Sequence, residues 1–154
     1  MVRFSRFFIL ALAMLLTSQT AALAVSDKYR ALSVRLTDDA AQQLGQGKAA
    51  EADRLLNLAL TAHPGNARAF VLKGQAQGLL DNKQESLRLI TVGLEIEPGN
   101  EKALKLQGSA ALEVGDIDLA EKSLSRLRTV CDAPCAAASE LAAAIQKNRI
   151  ASKE

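Results

Sequence analysis

The stretch His63-Pro64-Gly65-Asn66-Ala67-Arg68-Ala69-Phe70 returns 34 residues later as Glu97-Pro98-Gly99-Asn100-Glu101-Lys102-Ala103-Leu104. A fixed period of that length marks stacked supersecondary units, none of which can bury its apolar face alone. A neighbouring copy must supply the missing cover, so the chain is constrained to an extended stack rather than a single closed core.

The apolar spacing names the units. Ala52, Leu55, Leu56, Ala59 and Leu60 recur by threes and fours between Ala49 and Ala62, which predicts one helix with one buried stripe. Pro64-Gly65-Asn66 stops it, since Pro presets a turn dihedral while Gly and Asn tolerate the left-handed region. Residues 67–80 then predict a helix with Ala69, Leu72, Ala76, Leu79 and Leu80 on one face. Its partner over 84–97 turns Leu87, Ile90, Leu94 and Ile96 inward. A third pair runs from Glu101 to about Asp132, with Leu104, Leu106, Ala110 and Val114 in its first helix and Ala120, Leu124 and Leu127 in its second. At the 34-residue offset Pro64 meets Pro98, Gly74 meets Gly108, Ala52 meets Ser86 and Ala120, and Leu56 meets Ile90 and Leu124. Small residues at such crossings let helices approach, and the bulky set fills the space between layers.

The ends are different in kind. Arg3 and Arg6, the apolar run Phe7 to Leu16 and the small residues Ala22-Leu23-Ala24 form a secretory signal, with the cut expected after Ala24. That run is ten residues, short of the roughly 20 that a spanning helix needs. The rival is an uncleaved anchor, which would tether the protein to the membrane. Removing residues 1–24 takes away two Arg and no acid, so the 19 cations and 17 acids of the whole chain become 17 of each. A formally neutral product offers no electrostatic footprint for nucleic acid. Residues 25–36 form a leader compatible with a strand, a short helix or a mobile arm. Thr37-Asp38-Asp39 reads as a helix start, a capping hydroxyl followed by acids that suit the positive end of a helix dipole. That short helix, with Ala40, Ala41 and Leu44 on one side, ends at Gly45-Gln46-Gly47. At the other end, residues 133–149 carry a capping helix with Leu141, Ala144 and Ile145 on one side and polar residues on the other, followed by a tail at 150–154.

These residues resemble the tetratricopeptide repeat family, whose 34-residue helix-turn-helix unit has a small residue inside the first helix, another early in the second, and a closing Pro. The resemblance covers residues 33–132. It implies an all-α solenoid of three repeats (37–66, 67–100 and 101–132) closed by the capping helix. Lys73 and Gln107 depart from it, standing where the family has an aliphatic residue, and Gln77 and Ala111 occupy an aromatic place, with Leu72 and Leu106 taking over the inward role. By the same resemblance the first helices of successive units line a concave groove for a peptide or a partner helix. Its places fall on Arg68, Val71, Gln75 and Leu79 in the second unit, and on Lys102, Lys105, Ser109 and Leu112 in the third. Three cations among aliphatic residues imply a partner segment with acids and a few apolar anchors; the same residues also suit an ordinary solvated face.

Cys131 and Cys135, the only cysteines, bracket the turn before the capping helix. In an exported chain an even count predicts a disulfide, which here would staple the cap. The alternative is a thiol-disulfide exchange pair, since Cys135 falls in the first turn of a helix. Its three-residue spacing and the lack of any βαβ pattern stand against that. Two thiols and the distant His63 are too few for a closed zinc site, and no nucleophile, phosphate loop or haem motif is present. The sequence therefore reads as a periplasmic, non-catalytic protein-binding scaffold of a bacterium, with no cofactor and no small-molecule substrate.

Overall fold

The computed structural model describes residues 26–151. The expected signal and its cut after Ala24, and tail residues 152–154, lie outside the described residues. Within them are seven helices and no strand: α1 (26–45), α2 (Ala49–Ala62), α3 (Ala67–Leu79), α4 (Lys83–Ile96), α5 (Glu101–Glu113), α6 (Ile117–Val130) and α7 (Ala136–Ala151). Helices α1 with α2, α3 with α4, and α5 with α6 are the three expected pairs. Each packs on the next, α2 on α3 and α4 on α5, and α7 lies against both α5 and α6.

Two core clusters run through the stack, divided by α3. Ala69, Leu72 and Ala76 face back toward Ala40, Ala52, Leu56 and Ala59. Val71 faces forward onto α4 and joins the larger cluster that continues through Ile90, Leu94, Ala103, Leu104, Leu127 and Leu141. The leucines and isoleucines fill space that the alanines leave, and the backbone approaches closest at glycines. A methyl group added at Gly74 would stand 2.6 Å from Cγ1 of Ile90, and one at Gly93 would stand 2.6 Å from Cγ2 of Val71. Leu79, Leu80 and Ile96, expected in the inward stripes, are 61%, 40% and 42% exposed, because each sits at a helix end beyond the reach of its partner helix.

The helix start at Thr37 is a misreading that the structure corrects. Helix α1 already runs from residue 26, so the described part of the leader is helical and Thr37 lies mid-helix, 1% exposed. Its hydroxyl does not cap. It donates to the Ser33 carbonyl at 2.7 Å and accepts from Nδ2 of Asn66 at 3.0 Å. A hydroxyl followed by two acids resembles a cap, but here one bond ties α1 to itself and the other ties it to the α2–α3 turn. The tail is corrected likewise, since Ile150 and Ala151 belong to α7.

Neither repeated Pro-Gly-Asn turn uses the left-handed region at its asparagine. Asn66 (φ −81°, ψ 92°) and Asn100 (φ −74°, ψ 103°) are extended N-caps whose side chains accept from the N–H of Ala69 (3.0 Å) and Ala103 (2.9 Å). Positive φ occurs instead at the turn inside each pair: Gly47 (75°), Asp81 (64°) and Gly115 (82°), which stand 34 residues apart. Two of these are glycine, and the third is a short polar residue that tolerates the conformation.

The two caps differ in what else they hold. Asn66 also donates to Ser33 Oγ at 2.9 Å and to Thr37, whereas the amide of Asn100 reaches only Oε2 of the exposed Glu97, at 3.2 Å. Losing a cap costs about 1 kcal/mol, and leaving part-buried hydroxyls short of a donor adds about 1 kcal/mol more. Asn66→Ala is thus expected to cost about 2 kcal/mol and Asn100→Ala about 1 kcal/mol in urea unfolding. Asn66→Asp, which keeps the cap and loses the donor, should cost about 1 kcal/mol, half the loss of Asn66→Ala.

Candidate functional site

The polar residues that broke the expected pattern have partners. Lys73 of α3 donates to Oδ1 of Asp53 in α2 at 2.5 Å, Gln77 donates to the same oxygen at 2.7 Å, and Asn57 donates to Oδ2 at 3.2 Å. The Lys73 and Asp53 side chains are only 15% and 19% exposed. One unit later, Gln107 is 3% exposed and lies between two neighbours: its Nε2 donates to Thr91 Oγ1 of α4, and its Oε1 lies 3.0 Å from the Ser123 hydroxyl of α6. Both places exchange apolar filling for hydrogen bonds that fix helix register. Among the described residues no buried side-chain nitrogen or oxygen lacks a partner.

Asp53 makes the first of these centres sensitive to acid. Its burial works to raise the carboxyl pKa, but hydrogen bonds from Lys73 and Gln77 and the charge of Lys73 outweigh it, so the group titrates below its ordinary 3.8. The folded state binds that proton less readily than the unfolded chain does, so the stabilisation is present at neutral pH and fades as pH falls below about 4. Asp53→Asn is therefore expected to be less stable than the parent at about pH 7, with the gap in urea midpoints narrowing by about pH 3. At neutral pH Asp53→Ala should cost about 2 kcal/mol, between an exposed and a fully buried pair.

Of the eight residues expected in the groove, three come together. Gln75 and Leu79 of α3 and Ser109 of α5 line one cleft of about 170 Å3 between the two helices, floored by Ile90, Leu106 and Ala110 and rimmed by Glu113. Val71 does not belong there: it is 4% exposed and packed on α4, because α3 turns that face toward Gly93. Leu112 is half-buried against the core. The place that corresponds to Leu79 at the 34-residue offset is Glu113, one residue further on, and that translation alone would have found it.

The three cations behave differently from the expectation. Arg68 is paired with Asp38 of α1, and Lys105 with Glu140 of α7. These bonds run sideways from one first helix to the next and neutralise charge that was expected to face a partner. Lys102 is exposed and makes no ion pair among the described residues. The face as a whole is mixed rather than basic.

At the far end, Cys131 and Cys135 stand in disulfide geometry, their Cα atoms 5.9 Å apart, with the Cys135 sulfur accepting from the N–H of Ala138 at 3.4 Å. The pair thus holds the turn into α7 and caps the helix it introduces. The outer side of the stack is polar. Where α4 carries Leu87 and Leu94 toward the core, α6 carries Glu121 and Arg128 at the same repeat places, and Arg149 of α7 pairs with Glu121 across the cleft between them. Polar substitution of this kind stops further stacking. Among the described residues no helix is long and apolar enough to cross a membrane, and no cluster of His, Cys, Asp and Glu is arranged to hold a metal.

No family model and no curated protein matches the sequence. Solved structures match the fold. The first TPR of Spaghetti (RPAP3) bound to the HSP90 peptide SRMEEVD is 17% identical, with a TM-score of 0.71 over 81% of this chain and 96% of that one. The Arabidopsis OM64 TPR domain is 15% identical, with a TM-score of 0.71 over 77% and 98%. PcrH in complex with the chaperone-binding region of PopD is 20% identical, with a TM-score of 0.67 over 78% and 92%. The paired helices, their 34-residue register and these superpositions agree: the chain has the fold of the tetratricopeptide repeat.

Proposed function

We propose that the protein is a non-catalytic interaction scaffold that holds a segment of a partner protein along the face formed by α3 and α5. The observation that carries this reading is the cleft where Gln75, Leu79 and Ser109 converge, an apolar hollow with a polar rim on an otherwise mixed surface. Proteins of the same fold bound to peptides, the HSP90 peptide on Spaghetti (RPAP3) and the PopD region on PcrH, support it. The signal-like residues 1–24 and an even cysteine count support a periplasmic location in a bacterium, an oxidising compartment in which the Cys131–Cys135 disulfide would lock α7 in place. The exported product then begins at Val25, which its intact mass reports.

A photo-crosslinking side chain at Ser109 should give discrete adducts in cells, and one at Leu58, 57% exposed on α2, should give none. Equal labelling from both positions, or none from either, would refute the groove. Reversing the charge of Arg68 or Lys105 is a poorer probe, because it sets like charges against Asp38 or Glu140 and disturbs the stack itself.

A further inference from the structure

The cleft between α3 and α5 has a polarity opposite to the one the groove cations imply. Its mouth lies where both helices end: Gly78 and Leu79 close α3, and Ala110 and Glu113 lie in the last turn of α5. Neither helix has a basic residue in its last turn. Helix C-termini carry partial negative charge from their outward carbonyls, so two of them meet here without a cation. Glu113 adds a full negative charge at the end of α5, where the dipole disfavours an anion. It is exposed and makes no ion pair among the described residues, while the groove cations Arg68 and Lys105, toward the N-terminal ends of α3 and α5, are engaged with Asp38 and Glu140.

The hollow beneath is apolar. Ile90, Leu106, Ala110 and the exposed Leu79 offer carbon surface to a volume of about 170 Å3. At roughly 30 Å3 per water, that is space for about five or six waters or for one aliphatic side chain. An aliphatic group would release those waters, and a cation beside it would meet Glu113 and two helix ends.

We propose that this cleft takes a Leu-, Ile- or Val-type side chain of the partner segment, with a Lys or Arg within two residues of it paired to Glu113. The partner is then a basic-aliphatic segment, not an acidic one. This rests on the groove being the binding surface and adds the chemistry of what enters it.

The test is selection of a random nonapeptide display library on the purified protein, followed by fluorescence anisotropy of the enriched peptides. Enrichment of an aliphatic residue beside Lys or Arg is expected. Against those peptides Glu113→Lys should weaken binding by at least about tenfold and Glu113→Gln by about threefold, with the effect shrinking as salt rises. The equal charge reversal Glu95→Lys, on the exposed side of α4, should stay within about twofold. Enriched peptides bearing Asp or Glu beside the anchor, or wild-type affinity in Glu113→Lys, would overturn the basic-aliphatic partner. The groove itself would still stand if Leu79→Asp abolished binding of those peptides. No enrichment, or no effect of Leu79→Asp in a protein that remains helical, would overturn both.

Discussion

Leu141→Ala is expected to lower stability by about 3 kcal/mol, among the largest losses available to a single side chain in this molecule. Leu141 is 1% exposed, and its methyl groups lie against the backbone of α5 at Gly108. Truncation loses the transfer free energy of the buried carbons and leaves a cavity that the helix backbones on either side cannot close. The cavity also sits at the joint between the cap and the last pair, so its consequence is directional. In a stack each unit holds only its neighbours. Helix α7 should therefore loosen first, and limited proteolysis should cut near the Cys131–Cys135 turn before the α1–α4 portion is touched. Uniform loss of protection along the chain would contradict that order. Urea midpoints give the magnitude, and the first protease fragments give the place.

Much of this architecture was legible because the information is repeated. Pro64 and Pro98, Gly74 and Gly108, and Leu56, Ile90 and Leu124 each report the same place in the unit, and agreement between copies outweighs the ambiguity of any one of them. What failed to read were features that occur once. Thr37 resembles a cap because a hydroxyl before two acids is a local signal, whereas one of its two partners, Asn66, is 29 residues away and the other is the Ser33 carbonyl inside the same helix. Val71 was assigned to the groove by position in the unit, but which face of α3 is covered depends on Gly93 in the next helix, where the lack of a side chain lets Val71 dock. Asp53 was missed although Lys73 demanded a counter-charge, since nothing local says which helix supplies it. The groove cations were visible as charges. Their pairing with Asp38 and Glu140 was not, because it joins first helices of different units.

The two repeat glycines Gly74 and Gly108 should respond differently to the same substitution, although the sequence pattern makes them equivalent. At Gly74 an added methyl group would stand 2.6 Å from Ile90 Cγ1 and 2.8 Å from the Ser86 carbonyl oxygen. The carbonyl is backbone, held in the first turns of α4, and cannot swing aside. Overpacking of this kind costs about 1–3 kcal/mol, more than the roughly 1 kcal/mol that alanine gains over glycine in a helix. With backbone atoms putting the crowding in the upper half of that range, Gly74→Ala is expected to destabilise by about 1–2 kcal/mol net. At Gly108 the nearest atoms are Cδ2 and Cδ1 of Leu141, at 2.6 and 2.8 Å from the added carbon. Those are the free ends of a side chain that can change rotamer, so propensity and crowding nearly cancel and Gly108→Ala should be close to neutral. The difference arises because Leu141 of the cap, not Leu124 of α6, takes the place against Gly108 that Ile90 takes against Gly74. A double-mutant cycle makes that explicit. With Leu141→Ala already present the methyl group at residue 108 has room, and Gly108→Ala should then stabilise by about 1 kcal/mol, giving a favourable coupling between the two sites. Gly74→Ala is not in contact with Leu141 and should add to Leu141→Ala within about 0.5 kcal/mol. Additivity at both glycines would mean that α7 does not rest on α5, and the cap would have to be assigned another seat.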